Sequence, residues 1–178
     1  MGTPLELELL TPMDSRSQAI ASGVASSLAI CGIKVTTTAL PFSELYAPGP
    51  EGRIFGRSFD LALISWQYSL APACYLHTTT QIPNNENHWI GGNVTGYSRA
   101  DFDIACSGLQ RAISDDGDYD HYLQKAVEYF LTDLPAIPLF KQPRLVLSRQ
   151  NLCAFTLNTY ARSDLAGVEL FDFSPDCD

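Results

Sequence analysis

Five aromatic side chains carry most of the chemical information in this sequence. Trp66, Tyr68, Tyr75, Trp89 and Tyr97 fall at the end of one apolar run or in the polar segment after it. Each has a large apolar face with a polar handle, which suits stacking on a sugar ring or enclosing a peptide. The competing role for each is to cement a long loop onto the core. Residues suited to covalent or metal chemistry are less well arranged. His77, His88 and His121 have no ligand spacing between them. There is no Gly-x-Ser-x-Gly elbow and no phosphate-cradling Gly-rich loop before a helix. Asp115, Asp116 and Asp118 have the composition of a cation site but do not complete a calcium loop, and read as a solvated turn. A hydrolase or transferase built on Asp60, or on His77 with His88, is the rival reading, without a demonstrable nucleophile–base pair. No catalytic residue, metal or cofactor is expected. Asn93-Val94-Thr95 is a formal glycosylation sequon.

The five cysteines, Cys31, Cys74, Cys106, Cys153 and Cys177, include no Cys-x-x-Cys pair, which disfavours zinc and thioredoxin-like chemistry. Cys31 and Cys106 sit on apolar helical faces, where a buried free thiol is the default. If the protein is exported, one disulfide is expected, with Cys153 and Cys177 the first choice.

The elements that must position these residues can be read from periodicity. The chain has 178 residues, 46% of them hydrophobic and 17% charged, enough for one domain with a real core. Its net charge of −9 argues against nucleic-acid or anionic-membrane partners. No apolar run approaches the roughly 18 residues needed to span a bilayer, and no signal peptide is recognisable. Met1-Gly2-Thr3-Pro4 reads as an artificial start or an internal cut.

Leu5, Leu7 and Leu9 alternate with Glu6 and Glu8, a strand with one wet face. Asp14 or Ser15 can cap a helix bearing Ile20, Val24, Leu28 and Cys31, which Gly32 stops. Ile33 to Leu40 reads as a second strand, so the chain opens with a right-handed βαβ unit. Pro41 to Tyr46 suits a short helix, and Ala47 to Arg57 a loop. Phe59 to Trp66 reads as a buried central strand. Ligands gather at the carboxyl ends of strands in open α/β sheets, which puts Trp66 and its successors where a ligand would sit. Gln67 to Tyr97 is mostly loop, with one short helix near Pro72 to Leu76. Ser98-Arg99-Ala100-Asp101 resembles a capping box before a helix carrying Phe102, Ala105, Cys106, Leu109 and Ile113. A second amphipathic helix, capped by Asp118, runs from Tyr119 to Leu131. Ala136 to Phe140 and Arg144 to Ser148 read as strands.

The order of these features resembles a known family. Gly32-Ile33-x-Val35 is followed by Phe59-Asp60-Leu61-Ala62-Leu63-x-x-Trp66. Asn93-Val94-Thr95-Gly96-Tyr97-Ser98, Phe102-Asp103 and Asp133-Leu134-Pro135-Ala136-Ile137-Pro138-Leu139 complete the series. Over about residues 5–155 it is similar to the C-terminal lobe of bacterial family 5 extracellular solute-binding proteins, the peptide-, nickel- and oligosaccharide-binding components of ABC importers. The resemblance implies an α/β periplasmic-binding-protein-like lobe (type II), with a mixed, mostly parallel sheet and helices on both faces. It implies one lobe of a two-lobed receptor, with residues 1–143 as the ligand-binding lobe and 144–178 as a return segment and tail.

The implied partners are a small solute, peptide or oligosaccharide, the parent's other lobe and an ABC permease. The implied location is extracellular or periplasmic, with a lipid anchor in the parent. Trp66, Tyr68 and Ser69, with Trp89 and Tyr97, are the implied ligand-binding residues. A sensor module built on the same lobe is the alternative. One departure matters. Peptide-binding members carry an Asp three residues after the Trp, which pairs with the ligand's α-amino group, and here that position is Ser69. An ammonium buried without a carboxylate is costly, which moves weight towards a neutral ligand.

Overall fold

The computed structural model describes residues 5–66, 73–113, 117–141, 145–156, 158, 161, 163, 165–175 and 177. Tyr68, Ser69, Asp115 and Asp116 lie outside them. The described residues fall into two compact units. The first is drawn from Met1–Trp66 and Cys74–Ala136, the second mainly from Ile137–Asp178.

The first unit opens with the βαβ unit anticipated from periodicity. Strand β1 (Glu6–Pro12) leads into helix α1 (Ser15–Ile30) and strand β2 (Lys34–Leu40). The Asp14 carboxylate caps α1 by accepting from the Ser17 N–H at 2.9 Å, and that bond holds its pKa below the usual carboxylate range. Gly32 leaves the helix at φ 78°, a left-handed conformation that costs glycine nothing. Helix α2 (Phe42–Leu45) follows. Strand β3 (Leu61–Ala62) then pairs with β1, giving a parallel sheet of order β2-β1-β3.

Register runs from Glu6↔Lys34 to Pro12↔Leu40 on one side of β1, and Leu10 pairs with Ala62 on the other. Flanked on both sides, β1 buries Leu9, Leu10, Thr11 and Pro12 in succession. This continuous burial replaces the anticipated alternation in the second half of the strand, because both faces of a central parallel strand are covered. Leu10, Leu45, Ile54 and Val94 form the core here, with Leu40, Tyr46, Phe55, Phe59, Ala62, Ile64 and Trp66 packed around them.

Phe59 to Trp66 makes a shorter ladder than its apolar run suggests. Beyond Leu61–Ala62 it keeps one further backbone bond, Leu63 N–H to the Leu10 carbonyl at 2.8 Å. At its start the Asp60 carboxylate accepts from the Glu8 N–H, also at 2.8 Å, and takes the place of a ladder bond.

A long irregular segment comes next, with two short 3-10 turns at Cys74–His77 and Thr79–Gln81. Helices α3 (Ala100–Arg111) and α4 (Gly117–Asp133) close the unit. Phe102, Ala105, Cys106 and Ala126 pack between them, with Cys74, Tyr97, Tyr129 and Phe130 at the margin. Neither start uses the cap read from sequence. The α3 N-cap is Arg99, without a side-chain bond, and Ser98 instead shares a 3.0 Å hydroxyl bond with Thr79. Asp118 lies inside the first turn of α4, which begins one residue earlier.

In the second unit, strands β4 (Leu152–Cys153) and β5 (Asp172–Phe173) pair antiparallel. The Cys153–Cys177 disulfide closes that unit as anticipated. Residues 136–140 and the described part of 144–148 make no ladder. An apolar run with strand propensity becomes a strand only where a neighbour pairs with it, and Ile137, Phe140 and Leu147 are exposed.

Two further cysteine expectations are corrected. Cys106 is fully buried but bonded to Cys74, so it is not a free thiol. Cys31 is free but exposed, because it is the α1 C-cap, one residue past the helical face. The fold's dependence on β1 predicts that Leu10→Ala, at a site with no exposure, lowers unfolding free energy by about 3 kcal/mol in urea titrations.

Candidate functional site

Parallel pairing sends β1, β2 and β3 out along the same edge of the sheet. Leu10 is level with Ala62, so continuing that register sets Pro12 level with Ile64 and places Trp66 just beyond the strand end. The exits of all three strands therefore deliver Met13, Phe42 and Trp66 to one edge, the one where open α/β sheets hold ligands. Trp66 is half-buried and braced by the Leu10–Leu45–Ile54–Val94 core. Phe42 is 60% exposed. Its ring stacks on Tyr46, with centroids 5.8 Å apart and planes 13° from parallel. Tyr46 packs on the same core as Trp66, and burial raises its phenol pKa. Phe42 and Tyr46 are functional candidates that the sequence reading misses. The available signal is the Pro41-initiated turn of helix immediately after a strand, which holds its first residues at the strand's carboxyl end.

Trp89 is half-buried in the irregular segment and held from two sides. Its indole N–H donates to Asn85 Oδ1 at 3.0 Å. Its ring lies over Gly49, so closely that a Cβ there would fall 2.6 to 2.9 Å from three Trp89 atoms. His88 and Trp89 both adopt left-handed backbone, at φ 53° and 60°. That conformation is unfavourable for non-glycine residues, so surrounding bonds must enforce it. Asn84 Oδ1 accepts from the Glu86 and Asn87 N–H groups, while the Asn87 side chain bonds Ile82 and the Asn84 N–H.

Tyr97 belongs to a different cluster. Its ring meets Phe102 edge to face at 5.3 Å, and its hydroxyl donates to Asp133 Oδ2 at 2.7 Å. Arg99 Nη1 reaches both Asp133 oxygens, at 3.0 and 2.8 Å, and its guanidinium lies 4.2 Å above the Tyr129 ring. Burial, then the bond to Asp133 and that group's charge, push the Tyr97 pKa up to about 12. The Asp133 carboxyl is held low, first by Arg99 and then by Tyr97. Trp66 and Tyr97 therefore brace two different cores, and Tyr97 fastens the start of α3 to the end of α4.

Of the remaining polar candidates Asn93 is structurally occupied, whereas the buried His77 Nδ1 has no hydrogen-bond partner among the described residues. Asn93 is fully buried. It donates to the Thr78 and Tyr97 carbonyls at 2.9 and 2.8 Å and accepts from the Thr95 hydroxyl at 2.9 Å, so its amide is closed to glycosylation. His77 packs edge-on against Phe130 at 5.1 Å, and burial lowers its pKa. His88 and His121 are exposed. Among the described residues no three His, Cys, Asp or Glu side chains gather as metal ligands would.

No protein-family model and no curated protein matches the chain. Solved structures do. The oligopeptide-binding protein of Thermus thermophilus, complexed with a pentapeptide, aligns with a TM-score of 0.72 at 20% identity over 88% of this chain and 27% of its own. NikZ of Campylobacter jejuni in complex with Ni(L-His) aligns at 0.60, with 18% identity, over 75% of this chain and 26% of its own. The oligopeptide-binding protein AppA of Bacillus subtilis, in complex with a nonapeptide, aligns at 0.56, with 23% identity, over 75% and 25%. This chain spans about a quarter of the length of each. The fold is thus the α/β fold of periplasmic binding proteins. Within that class the chain resembles the peptide- and nickel-binding substrate-binding proteins of ABC transporters.

The Tyr97–Asp133–Arg99 network sets a pH dependence with two limbs. The raised Tyr97 pKa favours the folded state below the ordinary tyrosine value of 10.0, and this contribution fades as pH climbs towards about 12. The depressed Asp133 pKa contributes above the ordinary carboxylate value and is lost as pH falls through its folded value. Urea midpoints against pH should show a flattened alkaline limb in Tyr97→Phe and a flattened acid limb in Asp133→Asn. Curves parallel to wild type would refute the assignment.

Proposed function

We propose that this chain captures a small solute, peptide or oligosaccharide, for an ABC importer. Residues 1–143 form the ligand-binding lobe of a two-lobed receptor, and 144–178 form its return segment. The observation that carries this reading is the joint delivery of Phe42, Tyr46 and Trp66 to the carboxyl edge of a parallel sheet. Support comes from the fold shared with proteins solved holding a pentapeptide and a nonapeptide. The ligand closes between this lobe and the parent's other lobe and stacks on Trp66; Tyr68, Ser69 and Trp89 are the further residues assigned to its binding. Tyr97 supports the site through Asn93, which gives both its amide hydrogens to the backbone. The receptor works outside the cytoplasm, lipid-anchored and docking on a permease, a setting in which the Cys74–Cys106 and Cys153–Cys177 disulfides persist.

In sequence, Ser69 takes the position three after Trp66 at which peptide-binding members carry an Asp, which favours neutral ligands or peptides held by backbone and side chain. The rival hydrolase reading loses Asp60, whose carboxylate is engaged by the Glu8 backbone.

Calorimetric titration of the intact parent receptor tests the assignment. Trp66→Ala should weaken solute binding by about 30-fold, the effect of losing a central aromatic anchor, and Phe42→Ala should weaken it less. Undiminished affinity in Trp66→Ala would place the solute elsewhere. Ser69→Asp should add or tighten binding of peptides with a free α-amino group, and no gain would count against the missing-anchor argument.

A further inference from the structure

The irregular segment that carries Trp89, Asn93 and Tyr97 lies between two cysteines bonded to each other. Cys74 opens it at the first 3-10 turn, and Cys106 ends it inside α3. We propose that the Cys74–Cys106 disulfide is a positioning element for the solute site, which is set only after these two thiols are oxidised. The fastening of the loop stands on geometry alone, and its consequence for solute rests on the functional reading above.

Contacts lead in steps from the disulfide to Trp66. Loops of this length inside a compact domain need their own fastening, and the two 3-10 turns supply few backbone bonds. Cys106 is fully buried among Phe102, Ala105 and Ala126, so it is a fixed post. From that post the disulfide holds the turn at Cys74–His77. Thr79 N–H then binds Asp103 Oδ1 of α3 at 2.9 Å, and Asn93 ties Thr78 to Tyr97. The next residue, Val94, is 2% exposed and belongs to the other core, beside Leu10, Leu45 and Ile54, against which Trp66 packs. Trp89, in the same closed segment, lies on Gly49. The disulfide thus fastens to the helical core a loop whose far side walls the seat of Trp66. Released at Cys74, the loop keeps Asn93 but loses its covalent post, and Val94 can withdraw from the core on which Trp66 packs.

Oxidation is a thiol–disulfide exchange. Both cysteine sulfhydryls are oxidised to one S–S bond, and the disulfide of a protein oxidant is reduced to a dithiol that takes up both electrons and both protons. Once formed, the bond resists reversal. Cys74 is only partly accessible and Cys106 is enclosed in apolar surroundings, where a thiolate is a poor leaving group.

The test uses the 178-residue chain with Cys31→Ser, which removes the exposed free thiol, and Trp89→Phe, which leaves Trp66 as the sole indole. Amide exchange and Trp66 emission are compared between the oxidised chain and Cys74→Ser/Cys106→Ser. Exchange over residues 78–97 should accelerate by about 100-fold, the scale of one lost cross-link. Trp66 emission should shift to the red, while β1 and β2 amides keep their protection. Cys153→Ser/Cys177→Ser should change none of these. Should the double variant fail to fold, the same readings are taken on the chain reduced by a dithiol and then re-oxidised, with recovery expected on re-oxidation. Unchanged exchange over 78–97, or equal loss of protection in β1 and β2, overturns the proposal. A pentapeptide and a neutral tetrasaccharide then probe the intact parent receptor. Binding that falls on reduction and returns on oxidation extends the result to solute. Failure of both probes to bind in either state counts against the functional reading alone, and the exchange data still decide the loop.

Discussion

The burial of Leu9 through Pro12 is the constraint on which the first unit depends. A strand enclosed on both faces and paired on both sides has no wet alternative, so its register is fixed by its own apolar residues. Because both pairings are parallel, no hairpin can join them. The chain must return to the start of the sheet each time, once through α1 and once through α2 and the glycine-rich loop. That path sends every strand out at the same edge. The shared position of Met13, Phe42 and Trp66 is therefore a consequence of how β1 is buried, and the candidate site inherits its location from the core.

Arrangement within the site depends on a second constraint, the satisfaction of backbone groups that have neither helix nor sheet. Residues 73–99 include only two short turns of 3-10 helix. Buried amides and carbonyls there must find partners or incur a desolvation penalty of a few kcal/mol each. Asparagine and aspartate side chains take up that role. Asn93 bridges two carbonyls and a hydroxyl, Asn84 and Asn87 organise the turn before Trp89, and Asp103 reaches across from α3 to Thr79. Within that turn the His88 and Trp89 N–H groups donate to the Asn85 and Asn84 carbonyls, and both residues sit at positive φ. The loop is polar in sequence because its side chains replace missing secondary structure.

This division explains what is legible in the sequence. Periodicity marks the elements, so β1, α1, β2, α3 and α4 can be read within a residue or two, but it overstates their buried faces: Ile113, Val127 and Leu131 are exposed. The carboxyl-edge position of Trp66 comes from the same reading. Partnership leaves no periodic trace. Nothing in the spacing of Cys74 and Cys106 says that they meet, since Cys106 reads as a buried thiol on a helical face and Cys74 as a loop residue. Ala136 to Phe140 has strand composition, but the ladder that would make it a strand is missing. Tyr97 falls in an aromatic-rich loop and groups with Trp66 by composition, yet its hydroxyl is aimed at Asp133, 36 residues away. Phe42 escapes a sequence reading because a single Phe after a proline carries no pattern. Only the stack on Tyr46 shows that its face is offered at the strand exit.

Several polar handles of the first unit are already engaged. The Trp89 N–H is committed to Asn85 and the Tyr97 hydroxyl to Asp133. The Asn93 amide is engaged within the loop, and Asp60 on β1. What the described residues leave available is aromatic surface, the faces of Phe42 and Trp66, beside the exposed Met13 thioether. Such a surface gives stacking and apolar contact at low entropic cost and discriminates by shape. The carboxylate nearest to it in the chain is Glu44, exposed two residues after Phe42, and Ser69 adds none in sequence. A neutral ring or an apolar side chain matches such a surface without a counter-charge.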